Sequence, residues 1–191
     1  MDMEKYGKIA KMVHFLIKNS YGGKENLNYL DLTCGNGNDT LFLCNLAGNK
    51  GYVKAFDILE EAIERTEELL RDNCQYNNYE LIHSGHEDVE KYLNEKIDVA
   101  VFNLGYLPKY NKEHYTKPET TIKAITSLLP YLKDEGRIYI TAYIGHDEGY
   151  EISKIFDFLK DLDKRKYNVI QIKLINKNNL PPELFIVEKN A

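Results

Sequence analysis

What the 191-residue sequence lacks narrows its function first. No apolar run approaches the ~20 residues that a membrane-crossing helix needs. Residues 1–20, MDMEKYGKIAKMVHFLIKNS, set charges among their apolar positions, so they lack the uninterrupted apolar core of a secretory signal. The three cysteines, Cys34, Cys44 and Cys74, follow no metal-ligand spacing and cannot all pair, so a reduced, cytoplasmic protein without a metal centre is expected. A basic balance is missing too. The net charge of -5 gives no molecule-wide field for nucleic acid, although a local basic patch remains open. There is no internal repeat, low-complexity tract or linker. A single domain over residues 1–191, built on one sizeable core, is expected.

What is present alternates. Apolar residues at Ile9, Met12, Val13, Leu16 and Ile17 repeat with helical period over 4–19, and Gly22-Gly23 closes that segment. Short apolar runs at 28–32, 52–56, 79–83, 97–102 and 136–143 read as strands. Between them lie a helix to about Ala47, a helix over 59–72 with Ile63, Leu69 and Leu70 facing inward, a short helix near 87–93 and a helix over 118–132. A further helix opens after GHDEGYE, and strands at 167–174 and 184–187 end the chain without a helix between them. Strands alternating with helices predict a mostly parallel α/β sheet with helices on both faces. The last two strands are expected to pair as an antiparallel hairpin.

The stretch DLTCGNGNDT, residues 31–40, joins the first strand to a helix. In open α/β sheets, ligands sit beyond the carboxyl ends of the strands, and the loop after the first strand is the usual place. Gly35 and Gly37 allow a tight turn and a close backbone approach, and the helix start beyond them offers free N–H groups. Asp57 ends the second strand, where a carboxylate can accept both hydroxyls of a ribose. The pattern indicates a nucleoside-containing cofactor. A nicotinamide dinucleotide is disfavoured, because Thr40 stands where the third glycine of its fingerprint belongs and Asp39 places a carboxylate where a pyrophosphate would rest. S-adenosylmethionine carries no phosphate; acidic and amide groups suit its cationic methionine end, and Asp31 and Asp39 are well placed for it. A plain strand-to-helix turn is the bland alternative.

DLTCGNGNDT, GYVKAFDI, VFNLGYLP, TTIKAITSLL, YIGHDEG and the terminal NKNNLPPELFIVEK together resemble a class I S-adenosylmethionine-dependent methyltransferase. More narrowly they resemble the family long labelled rRNA methylases, understood as tRNA methyltransferases that complete the methylaminomethyl group on a wobble uridine. The resemblance implies a Rossmann-like fold with a seven-stranded, mostly parallel sheet and a C-terminal antiparallel hairpin. It also implies S-adenosylmethionine as cofactor and methyl transfer to the primary amine of 5-aminomethyl-2-thiouridine in tRNA. Two departures stand out: Asn38 replaces a histidine usual in the glycine loop, and KYNKEHYT replaces a short G-G-D loop after NLGYLP.

On this basis the cofactor is expected against Asp31, Cys34, Gly35, Asn36, Gly37, Asn38, Asp39 and Thr40, with Asp57 and Ile58 after the second strand. His86 and Glu87 follow the third strand, in the position that flanks an adenine, and Asn103, Leu104 and Gly105 complete the set. An attacking amine must be neutral and aligned with the methyl carbon. The Asn103 carbonyl could accept a hydrogen bond from it, where amine methyltransferases place an Asn or Asp of an N-P-P-Y motif; a strand-capping turn residue is the alternative. Tyr106 would wall the base, and His146 would bind substrate or take a proton. Tyr143 and Lys109 complete the substrate set, although Tyr143 and His146 read equally well as an N-cap cluster. Cys34 reads as a packed thiol and His14 as a structural or rim residue.

A tRNA anticodon stem-loop needs lysines for phosphates and aromatics for splayed bases. Tyr106, Lys109, Tyr110, Lys112, His114, Tyr115 and Lys117 mix the two, and Lys5, Lys8 and Lys11 add to them. A homodimer would widen that surface, though no feature demands one. A methyltransferase acting on a small-molecule amine or another RNA such as rRNA, and a non-catalytic cofactor-binding module, are the competing readings.

Overall fold

In the computed structural model, the residues described are 9–105, 116–143, 149–177 and 181–191. Strands and helices alternate as α1 (Ile9–Tyr21), β1 (Asn28–Asp31), α2 (Asn38–Ala47), β2 (Tyr52–Asp57), α3 (Glu60–Asn73), β3 (Tyr79–His83), β4 (Ile97–Leu104), α4 (Pro118–Leu128), β5 (Leu132–Ala142), α5 (Tyr150–Lys160), β6 (Tyr167–Ile172) and β7 (Glu183–Lys189). The strands form one seven-stranded sheet in the order β3-β2-β1-β4-β5-β7-β6. The first five are parallel, and β7 lies antiparallel between β5 and β6, so the expected terminal hairpin supplies the one reversed strand.

β4 shows why the sheet is central. Its run IDVAVFNL is buried at every position but Asn103. Val99 and Val101 pack with Val13, Ile17, Leu43 and Leu70 on the face covered by α1, α2 and α3. Ala100 and Phe102 pack with Phe56, Ile125, Ile140 and Ile155 on the opposite face. Each large side chain so buried contributes roughly 1.5–3 kcal/mol of apolar transfer. Both faces therefore hold the strand that carries Asn103 at its carboxyl end.

Several local features differ from the sequence pattern. The inner face of α3 is Ala62, Thr66 and Leu70, while Ile63 and Leu69 are only half-buried. Small residues face inward because α3 must pack closely against the loop before α2. A Cβ on Gly37 would lie 3.1 Å from Thr66 Cα, Thr66 Oγ1 and Leu69 Cδ2. Residues His86–Tyr92 form a 3-10 rather than an α-helix. α4 stops at Leu128, a short 3-10 turn spans Leu129–Tyr131, and β5 begins at Leu132. The polar stretch after Leu132 stays in β5 through a bulge, with the register shifting between Ile97 and Val99 and Glu135 in the left-handed region at φ 63°.

Candidate active site

β1 and β4 are neighbours, while β2 lies on the other side of β1, so chain order reverses between β1 and β4. Their carboxyl ends frame the candidate site, as expected for an open α/β sheet.

The loop after β1 is held from below. Asp31 is fully buried; its Oδ2 accepts from Thr40 Oγ1 at 2.6 Å and its Oδ1 from the Thr33 N–H at 3.2 Å. Burial, followed by the nearby Asp39 charge, pushes the Asp31 carboxyl up to about 7. Asp31 thus lies behind the loop and fixes it to the start of α2. Asp57 holds the loop from the side: Oδ2 accepts the Gly35 N–H at 2.9 Å and Oδ1 the Leu59 N–H at 3.0 Å. Each carboxylate oxygen has two acceptor sites, so one on each oxygen is left for a ligand. Gly35 and Gly37 take left-handed φ values of 55° and 77°. The side of Gly37 without a Cβ faces α3 and not a ligand, so this glycine serves helix packing. Cys34 is buried with Thr66 Oγ1 3.5 Å from its Sγ, and burial raises its thiol, in keeping with a packed residue. Asn36 and Asn38 are exposed.

Around this loop, Ile58 follows Asp57 with half of its side chain exposed. His86 is buried edge-on to Phe102, burial lowers its pKa, and its Nε2 has no partner among the described residues. The Glu87 carboxylate folds over Gly85.

The second half of the site is the end of β4. The Asn103 N–H donates to Thr33 Oγ1 at 2.7 Å, which ties β4 to the loop after β1. Asn103 Nδ2 lies 3.5 Å from Asp39 Oδ2, and its buried Oδ1 has no partner among the described residues. A buried polar atom left without a partner costs about 1–3 kcal/mol, so this oxygen is a candidate ligand contact. Leu104 is buried, and Gly105 follows at φ 149° with the Tyr143 ring beside its Cα. Tyr143 is partly exposed; desolvation and then Asp39 raise its phenol.

Two contacts had no local sequence signal. His14 of α1 reaches the site, with Nε2 2.6 Å from Asp39 Oδ1 and its ring stacked on Phe42. It is therefore more than the rim residue its helix position suggests. The buried Glu151 of α5 accepts from Thr116 Oγ1 at 2.8 Å and Thr121 Oγ1 at 3.1 Å. Thr116 is bonded in turn to Gly105, accepting its N–H at its Oγ1 and donating its own N–H to its carbonyl. The two flanks of segment 106–115 are thereby joined to each other and to α5. Tyr106, Lys109 and His146 lie outside the described residues, as do Lys5, Lys8, Tyr110, Lys112, His114 and Tyr115.

A cavity of about 310 Å³ lies elsewhere, lined by Asn28, Tyr52, Lys54, Glu80 and Ile97 among others. These residues sit at or near the amino ends of their strands, the edge opposite the candidate site. Among the described residues no helix is long and apolar enough to cross a membrane.

Comparison with known proteins agrees with this geometry. A family model described as "Putative rRNA methylase" matches residues 53–188. A structure of the same description from Clostridium thermocellum is 39% identical, superposes with a TM-score of 0.90, and covers 95% of this chain and 97% of that one. The Streptococcus mutans protein SMU.1697c, solved in complex with SAH, is 38% identical with a TM-score of 0.84, over 94% of this chain and 97% of that one. The chloroplastic tRNA (mnm(5)s(2)U34)-methyltransferase of Arabidopsis thaliana is 32% identical over 84% of this chain, which spans 62% of that protein's length. The chain belongs to this rRNA methylase family and carries the class I methyltransferase fold.

Proposed function

We propose that this protein is an N-methyltransferase that converts the aminomethyl group of 5-aminomethyl-2-thiouridine, at the tRNA wobble position, to methylaminomethyl. Its cofactor is S-adenosylmethionine, which supplies the methyl group on a sulfonium sulfur that leaves as a neutral thioether. The residues fit such a ligand. The open acceptor sites of Asp57 suit ribose hydroxyls, and the exposed Ile58 offers an apolar surface for a base. His86 and Glu87 line the adenine side. The loop Gly35–Asp39 would hold the methionine end together with the backbone of Asn103, Leu104 and Gly105.

The observation that carries the amine assignment is the buried Oδ1 of Asn103 at the end of β4, which has no partner among the described residues. An amide oxygen accepts an N–H and cannot itself ionise. It can therefore hold a neutral amine by one N–H and direct its lone pair, an alignment worth several kcal/mol of barrier. The described surface near the site contributes the exposed Lys11 and Lys117 and the partly exposed Tyr143, groups suited to phosphate and base. The name of the Arabidopsis relative supports the wobble uridine as target. Tyr106, Lys109 and His146 are assigned to the substrate side by the same reading.

The test is methyl transfer from labelled S-adenosylmethionine to tRNA from cells that lack this modification, read by nucleoside mass spectrometry. A new methylaminomethyl-uridine species is expected. Cofactor binding without transfer to tRNA would overturn the assignment and direct attention to a small-molecule amine or another RNA.

A further inference from the structure

We propose that His14 and Asp39 are positioning residues that set the orientation of the Asn103 amide, so that α1 is part of the methyl-transfer site. The inference rests on the reading of Asn103 as the group that holds the amine.

An amide side chain can be turned by half a rotation at little steric cost, exchanging its oxygen and its NH2 group. Only one orientation serves an amine, the one that presents the oxygen. A carboxylate beside the amide selects it, because a carboxylate accepts and does not donate. Asp39 Oδ2 faces Asn103 Nδ2 at 3.5 Å, which leaves Oδ1 on the other side. The selector is itself secured. Asp39 Oδ1 lies 2.6 Å from His14 Nε2, so the carboxylate is gripped from the side away from Asn103. The His14 ring is fixed by stacking on Phe42, with centroids 3.9 Å apart and planes 7° from parallel. Phe42 is three residues beyond Asp39 on α2, on the same helix face, so α2 presents both a plate for the imidazole and an acceptor for its N–H. The chain of contacts runs from α1 through α2 to the end of β4 and stops at Asn103 Oδ1, which has no partner among the described residues.

The arrangement predicts coupling that a packing role would not show. Replacing His14 frees the Asp39 carboxylate to rotate, and the Asn103 amide loses its preferred orientation while the cofactor loop stays held by Asp31 and Asp57. Two measurements test this. The first needs no substrate: the Asn103 side-chain NH2 signals, identified by their loss in Asn103→Ala, are followed by NMR. In the wild-type protein the two protons should be displaced from the pair of shifts a free Asn side chain shows, and in His14→Ala they should move toward that pair. His14→Gln, which keeps an N–H donor, should restore part of the displacement. Unchanged signals in His14→Ala would overturn the proposal, whether or not tRNA proves to be the substrate.

The second measurement is a double-mutant cycle on kcat for tRNA. His14→Ala should lower kcat at saturating S-adenosylmethionine about tenfold, beyond any rise in the cofactor KM that a freed Asp39 brings, and it should have no further effect on kcat in the Asn103→Ala background. An equal loss in both backgrounds, or a loss expressed only through the cofactor KM, would make His14 a structural residue. A wild-type protein inactive on tRNA would count against the function proposed above, and the NMR result would still decide the role of His14.

Discussion

The two halves of the candidate site are built on opposite plans. In the loop after β1, donors and acceptors satisfy one another: Asp31 takes Thr40 and Thr33, and Asp57 takes the N–H groups of Gly35 and Leu59. At the end of β4, the backbone is equally well held, with the Asn103 N–H on Thr33 and Gly105 on Thr116, yet the Asn103 side chain keeps one oxygen without a partner among the described residues. The first half is preformed and needs only to receive a ligand. The second is preformed except for one acceptor, and that acceptor is where the proposed function puts the amine. A site can thus separate binding from chemistry by where it leaves polar capacity unused.

Paired variants break the comparison most directly. Asp57→Ala strands the Gly35 and Leu59 N–H groups and removes the ribose acceptor. At about 1–3 kcal/mol for each stranded group, cofactor affinity measured by calorimetry should fall by at least ~10-fold. Asn103→Ala should keep cofactor affinity close to wild type and lower kcat instead. Wild-type affinity in Asp57→Ala would overturn the division between the halves.

A smaller effect separates the two uses of glycine. Gly37→Ala forces a Cβ into a left-handed residue and against Thr66 and Leu69, for a loss of about 2 kcal/mol. Gly23 has a similar φ of 82° but open space around it, so Gly23→Ala should show the backbone cost alone. Thermal melts should place the first variant several degrees below the second. Equal melting temperatures would mean that the approach of α3 to the loop contributes nothing.

The smallest effect is a slope. Folding raises the Asp31 carboxyl from the ordinary 3.8 to about 7, so between those values the folded protein holds more proton than the unfolded chain. Stability from this group therefore falls as pH rises through that window, and the penalty is complete above it. Asp31→Asn has no such proton to lose. In urea melts without cofactor, the variant should gain on wild type between pH 4 and pH 7.5 by about 1 kcal/mol or more, on the scale of one pKa unit. Parallel pH curves would show that Asp31 titrates normally behind the loop.

The strands and the residues at their carboxyl ends are legible in the sequence because both signals are local. Periodicity marks β1 to β5, and Asp57 and Asn103 each stand at the end of an apolar run. Contacts made across the chain are not legible. His14 meets Asp39 across 25 positions, and Glu151 meets Thr116 across 35, with no pattern in between to announce either. The inner face of α3 departs from its pattern for a related reason: periodicity favours large apolar side chains inside, whereas close approach to Gly37 favours alanine and threonine. The terminal hairpin is legible from a missing helix, but its insertion as β7 beside β5 is a property of the sheet.

The bonds that join Gly105 to Thr116, and Thr116 to the buried Glu151, close a neck at the base of segment 106–115. A closed neck makes the chain beyond it exchangeable. Since the entropy of loop closure grows only by ~0.6 kcal/mol for each doubling of length, such a segment can be rewritten or resized at little expense to the sheet. Segment 106–115 can then change in sequence while Asn103 keeps its place at the end of β4.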